Sequence, residues 1–410
     1  MLEFLRRFGL QLDYCGLPTL IDNVAFLLRI WTVNIKNKYT QRIPISSYII
    51  TLLACGSYFY VYVFSMLWFI FVRCQETGDM AAACIIFCLT ACSGTGIAKL
   101  IYMHIYSDAV KNIVEKYLAC DASIETGTRF SSNLLKALRV VKKRAIYFWL
   151  YLTINGSIYI VTPIFLPGRH FAEDLYIVYG LEPMFESPNY EIAFAMMSAG
   201  AFCGVSPVTN TSTFFSILTG YTEALMMALS EELDKLWDDA KASYQAFLEH
   251  QGNEDNKIGE KILNEYIEKQ LRYIVEKHVM CINLLSQFED MFRGAMTVEF
   301  SLLTSGVIAE LLGGLEKTFV QVPYSLTQVT MNCLIGQRLI DASLILEKAI
   351  YSCNWEHFNK SNQKTVYLML MNSQKTLTVS VGGLTILSFA YLMSVLKSIY
   401  SVYAALRSRM

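Results

Sequence analysis

Residues 80–103 read MAAACIIFCLTACSGTGIAKLIYM, a run of 24 residues with a single charge, Lys99. A helix needs about 20 mostly apolar residues to cross the hydrocarbon layer of a bilayer, so this run predicts a transmembrane helix. Working outward, six more runs meet the same requirement, at about 47–72, 145–166, 190–229, 295–315, 319–339 and 377–406. Pro167-Gly168 closes the third span. The fourth is longer than one crossing and is expected to continue into the cytoplasm as a helix. Hydrophobic residues make up 54% of the 410-residue chain and charged residues 17%, against about 45–50% and about 25% in soluble domains. Eight prolines leave few breaks for linkers. These features exclude a soluble multi-domain enzyme and define an all-α polytopic membrane protein with seven transmembrane helices.

Charge sets the orientation. With the N-terminus in the cytoplasm, inner segments 1–46, 103–144, 230–293 and 338–376 hold 27 of the 34 Lys and Arg residues. The outer loops and tail keep five: Arg73, Arg169, Lys317, Arg407 and Arg409. Lys99 and Lys397 fall within spans. Basic residues collect on the cytoplasmic side, so the N-terminus is expected inside and the C-terminus outside. That is the reverse of a G-protein-coupled receptor. No A-x-A-like cleavage site occurs in residues 1–46. Phe8–Trp31 alternates apolar clusters with charges and reads as an amphipathic or re-entrant segment at the inner interface. The net charge of −1 excludes the broad basic field of a nucleic-acid binder.

The chain carries no catalytic signature: no Walker A, G-x-S-x-G, H-E-x-x-H or G-x-G-x-x-G motif. Its 11 cysteines show no zinc-ligand spacing and no framework of outer-loop disulfides, so neither metal nor cofactor is expected. Cys84, Cys88 and Cys92 recur every four residues and read as small packing residues on one helix stripe. Ser93-Gly94-Thr95-Gly96 reads as a close helix contact. Glu191, Glu299, Glu310 and Lys397 lie in or near spans, where ionisable groups are costly and pair with backbone or line water. The outer loop 167–189 is long enough to cover something and is acidic on balance. The segment 230–293 reads as two cytoplasmic helices about a polar turn at Gln251–Lys257.

The C-terminal stretch carries the most specific pattern. It runs Ala349-Ile350-Tyr351-Ser352-Cys353-Asn354-Trp355, then Leu368–Met371 with Ser373-Gln374-Lys375, then Gly382-Gly383, then Ser394-Val395-Leu396-Lys397-Ser398-Ile399-Tyr400-Ser401. In order and spacing this resembles the insect odorant receptor family. Thr376 stands where the family usually has proline. The Thr-Tyr…Gln-Phe signature of the related gustatory receptors is missing. The long second inner loop of the odorant co-receptor is missing too, so the chain resembles a ligand-tuned receptor subunit.

The resemblance implies a subunit of a tetrameric, odorant-gated, non-selective cation channel. It would assemble with the co-receptor as a hetero-tetramer in the plasma membrane of olfactory sensory neurons. Residues 1–46 would be a cytoplasmic or re-entrant segment and 47–229 helices 1–4 with the odorant-binding region. Residues 230–293 and 341–376 would form a cytoplasmic anchor, 294–340 helices 5 and 6, and 377–410 the pore-lining helix 7. The ligand would be a small volatile organic molecule, held mainly by burial and shape in an apolar pocket with few polar groups. Candidates by depth are Phe87, Tyr151, Asn155, Tyr159, Phe194, Met197, Phe202, Phe319 and Tyr324. Tyr151, Asn155 and Tyr159 are four apart and expected on one face. Pore and gate candidates are Ala405 and Leu406, with Ser408 as a polar neighbour and Lys397 toward an aqueous side. Ala405 is smaller than the valine or leucine usual in the family, which would leave the seal to partner subunits. A secondary transporter of a small apolar solute is the alternative. The lack of repeats and of paired intramembrane charges speaks against it. A non-channel seven-helix receptor is a third reading, disfavoured by the orientation.

Overall fold

The computed structural model describes residues 14–36, 43–251, 256–314, 321–383 and 385–407. Phe319 and Ser408 lie outside the described residues. Helix α1 (Leu17–Arg29) has Pro18 in its first turn, where a missing N–H costs nothing. Leu17, Leu20, Ile21, Val24, Ala25 and Leu28 recur at helical spacing and bury one face. Trp31 follows, fully buried, and its indole N–H donates to Ser206 Oγ at 2.8 Å.

Helix α2 spans Ile45–Thr77, with Phe59–Ser65 and Phe69–Arg73 wound as wider π-turns. Gly78, at φ 72°, ends it. The Asp79 carboxylate then accepts from Ala82 N at 2.9 Å and caps α3 (Met80–Ile105). Helices α4 (Ser107–Ala122) and α5 (Arg129–Phe165) follow, the latter capped by Thr128. Then come α6 (Asn189–Gln251), α7 (Asn256–Gly313), α8 (Gln321–Tyr351) and α9 (Lys360–Ser373). Two short strands, β1 (Ser380–Val381) and β2 (Thr385–Ile386), precede α10 (Phe389–Arg407). Among the described residues seven helices are long and apolar enough to cross a membrane: α2, α3, α5, α6, α7, α8 and α10.

Two differences from the sequence-based expectation have clear causes. Both helices within 230–293 are continuous with the spans, as expected for the fourth span but not for the fifth. They are extensions of α6, with 63 residues, and α7, with 58. At 1.5 Å per residue α6 is about 95 Å long, three times the hydrocarbon thickness. Hydropathy marks where apolar character ends, but neither helix meets a breaker there. The second difference is the start of the last helix, at Phe389 rather than Leu377. The preceding residues form an antiparallel hairpin pairing Ser380 with Ile386 and Val381 with Thr385. Gly382 and Gly383 turn it, at φ 63° and 73°, a left-handed conformation that costs glycine nothing. A short apolar run of this kind is ambiguous between strand and helix by periodicity alone.

Helix α6 is the hub and touches α1, α2, α3, α5, α7 and α8. The small-residue run of α3 makes a close approach to it: a Cβ on Gly96 would sit 2.6 Å from the Gly204 carbonyl oxygen of α6. Helix α10 leans on α7 and α8. Val395 and Ile399 bury against Val307, whereas Met393, Lys397, Tyr400 and Ser401 on its opposite side are exposed. Beyond the apolar runs, Arg129 reaches Glu232 Oε2 and Asp239 Oδ2, each at 2.6 Å. The hydrogen bonds to these carboxylates, Glu232 first, raise the Arg129 pKa above its ordinary value. Trp237 of α6 stacks on His357, ring centroids 5.1 Å apart, beside the α8–α9 turn.

Candidate ligand-binding cavity

Helices α2, α3, α5, α6 and α8 enclose a cavity of about 70 Å³, several times the roughly 10–15 Å³ that one water needs on the same measure. Its walls include Tyr62, Leu89, Asn155, Tyr159, Val205 and Tyr324. The space survives because Gly156, Ala201 and Gly204 present almost no side chain where the helices cross. A smaller space shares Tyr62, Tyr159 and Ala201 with it and extends outward past Phe194 and Met197 to Phe171 and Ala172 of the 167–189 loop. That loop is anchored on α2, since Tyr176 donates its hydroxyl to Val61 O at 2.6 Å. On its exposed side His170 Nδ1 lies 2.7 Å from Asp174 Oδ2, and this hydrogen bond raises the imidazole pKa above its ordinary value.

Asn155, Tyr159 and Tyr324 line the main cavity, and Phe194 and Met197 the adjoining one. The other described candidates stand elsewhere. Tyr151 is 44% exposed on the outer face of α5. Positions four apart on a helix drift by about 40°, so Tyr151 lies about 80° from Tyr159. Phe87 lines an open groove with Ile70 and Ile308. Phe202 packs on Trp31 with the rings tilted by 32° and their centroids 5.3 Å apart, outside the cavity. Lys397, Ala405 and Leu406 are exposed on α10.

Sequence reasoning did not assemble the buried polar groups that lie behind the cavity. Glu310 of α7 is buried, and its Oε1 accepts from Ser325 Oγ at 2.7 Å and from Cys88 Sγ at 3.0 Å. Gln321 donates to Glu173 of the 167–189 loop, which ties the loop to the N-terminal end of α8. The expectation of no paired intramembrane charges is corrected here. Lys99 Nζ meets Glu299 Oε1 at 2.7 Å, both side chains 1% exposed. Ser212 Oγ accepts a second proton of Lys99 at 2.9 Å, and Asn332 Nδ2 donates to Glu299 Oε1 at 3.0 Å. The partners are 200 residues apart in sequence, so no local pattern announces them. Tyr62 is a further lining residue without a signal, one tyrosine among 25.

The family model 7tm Odorant receptor matches residues 79–400, and the chain belongs to this family. Odorant receptor 30a of Drosophila melanogaster is 25% identical over 267 residues, which cover 61% of this chain and 62% of that protein. The odorant receptor coreceptor of Aedes albopictus is 26% identical over 180 residues, 41% of this chain and 37% of that protein. The match thus spans less than two thirds of either relative. The solved structure of the insect olfactory receptor OR5 from Machilis hrabei in complex with eugenol superposes with a TM-score of 0.75 at 13% identity. That superposition covers 97% of this chain and 100% of that one, so the two share a fold. Family and fold are those of multi-pass membrane receptors, not enzymes.

Proposed function

We propose that this chain is an odorant-gated, non-selective cation channel subunit of the plasma membrane of olfactory sensory neurons. It assembles with the odorant receptor co-receptor as a hetero-tetramer. A small volatile organic ligand enters the cavity between α2, α3, α5, α6 and α8. Its contacts are Tyr159, Asn155 and Tyr324, with Phe194 and Met197 toward the loop. The observation that carries this reading is the apolar cavity between the helices beneath an anchored outer loop, in a chain of the odorant receptor family. Phe319 and Ser408 stay in the proposed pocket and gate by sequence position. Phe87, Tyr151 and Phe202 are left out of the proposed pocket, because none is among the residues that line the cavity.

The seventh helix supports a pore role by its exposure. Only a stripe around Val395 and Ile399 is buried, which leaves the face with Lys397 and Ser401 for other subunits and the permeating cations. Ala405 and Leu406 at its end are placed to constrict by dewetting. The N-terminus is inside and the C-terminus outside, so α9 and the inner ends of α6, α7 and α8 form the cytoplasmic anchor.

One observation favours a secondary transporter of a small apolar solute: the buried Lys99–Glu299 pair. Its hydrogen bonds to Ser212 and Asn332 give it the character of a fixed structural pair. Voltage-clamp recording from cells expressing the chain with and without co-receptor separates the two readings. Odorant-evoked cation current that needs the co-receptor is expected. Odorant accumulation without current, across a broad panel, would sink the channel reading.

A further inference from the structure

Cys88 and Cys92 of α3 and Glu310 of α7 bring two thiols and a carboxylate to one point, their ligand atoms all within 4.8 Å of one another. All three side chains are buried, and both cysteines line the cavity. The sequence shows no zinc spacing because the third group lies 218 residues beyond Cys92. We propose that Cys88, Cys92 and Glu310 form a three-ligand site for a thiophilic divalent ion, Zn²⁺, in the wall of the cavity, with its fourth position toward Gln321 or the cavity itself.

Geometry selects this chemistry. The two sulfurs stand one helical turn apart, 3.9 Å from each other. A tetrahedral zinc with Zn–S bonds of about 2.3 Å sets its two sulfurs about 3.8 Å apart, whereas a linear two-thiolate ion needs a wider separation. Glu310 Oε1 lies 3.0 Å from Cys88 Sγ and 3.8 Å from Cys92 Sγ. Their mean is close to the roughly 3.5 Å between sulfur and oxygen on one tetrahedral zinc. Ser325 Oγ, 2.7 Å from the same carboxylate oxygen, holds Glu310 in this orientation. Gln321 Oε1 is 3.7 Å from Cys88 Sγ and offers a neutral oxygen at the fourth corner. Binding breaks two S–H bonds, forms two Zn–S bonds and one Zn–O bond, and releases two protons. No oxidant or reductant is needed.

The test is a Co²⁺ titration of the purified, reduced full-length chain in detergent, with the ion as a visible stand-in for Zn²⁺. About one Co²⁺ per chain, thiolate-to-cobalt charge-transfer absorption and displacement by Zn²⁺ are expected. The absorption should vanish in the Cys88→Ser/Cys92→Ser variant and persist in Cys84→Ser. Glu310→Gln keeps the thiols and the shape of the site and should weaken Co²⁺ binding on the order of tenfold or more. Absence of thiolate absorption, or its persistence without Cys88 and Cys92, overturns the site. If the double variant fails to fold, Glu310→Gln decides, and an unchanged affinity overturns it. The readout involves no current, so its outcome is separate from that of the channel reading.

Discussion

At the scale of single residues, the Lys99–Glu299 pair shows how a buried charge is tolerated in this molecule. Each ion has the other within 3 Å and a neutral hydrogen-bond partner besides. Breaking such a pair strands a charge where water cannot reach it, at a cost of about 3–5 kcal/mol, whereas replacing both partners with apolar groups is often nearly neutral. Glu299→Gln should therefore lower the thermal unfolding midpoint of the detergent-solubilised protein markedly. Lys99→Met/Glu299→Leu should recover most of the loss. Equal melting of Glu299→Gln and the unaltered protein would show that the pair contributes nothing to the fold. The same scale marks the limit of the sequence. Glu299, Glu310 and Lys99 are visible as misplaced charges, but their partners are not. A hydropathy window records that a lysine sits in a span and says nothing about which helix faces it.

At the scale of elements, α5 carries a clear test of the cavity. Tyr159 lines it and Tyr151, two turns earlier, is exposed on the outer face. Tyr159→Ala should shift the odorant concentration for half-maximal current by about tenfold, the order of a lost 1.4 kcal/mol, with co-receptor assembly kept. Tyr151→Ala should leave the response unchanged. A larger shift for Tyr151→Ala would move the binding site to the outer face of α5. The elements themselves were largely legible. All seven apolar runs of the sequence correspond to helices, because a segment that crosses lipid must satisfy its backbone internally and so be apolar for about 20 residues. Beyond the apolar runs, the continuation of the fourth was expected and that leading into the fifth was not, since nothing apolar marks it. The hairpin at Gly382-Gly383 escaped because five or six apolar residues fit a strand as well as a helix. Of the cavity wall, Asn155, Tyr159 and Tyr324 could be chosen by depth. Tyr62, Cys88 and Cys92 could not, because depth does not give the rotation of a helix about its axis.

At the scale of the whole molecule, the distribution of basic residues makes a prediction about sidedness. With 27 of 34 Lys and Arg residues in the segments assigned to the cytoplasm, an epitope tag at residue 1 should stay hidden in intact cells and become accessible on permeabilisation. Labelling from outside without permeabilisation would invert the topology and remove the pore assignment of α10. The exposed side of α10 carries Lys397 and Ser401 among apolar residues, and such polar groups on a membrane-crossing helix are tolerated beside water or protein and costly beside lipid.

Helix α6 has a mechanical consequence. It is one continuous helix from the cavity, where Ala201, Gly204 and Val205 form part of the wall, to Trp237, which rests on His357 at the turn leading through α9 and the hairpin to α10. A helix transmits tilt and rotation along its length with little loss. Its compliant point is Pro207, three residues past Gly204, where the ring removes a rung of the hydrogen-bond ladder. On the reading proposed above, a ligand seated against Val205 would bear on this helix two residues before Pro207. A tilt of the part beyond Pro207 would be carried along the rod to Trp237, beside the turn from which the last helix is tethered.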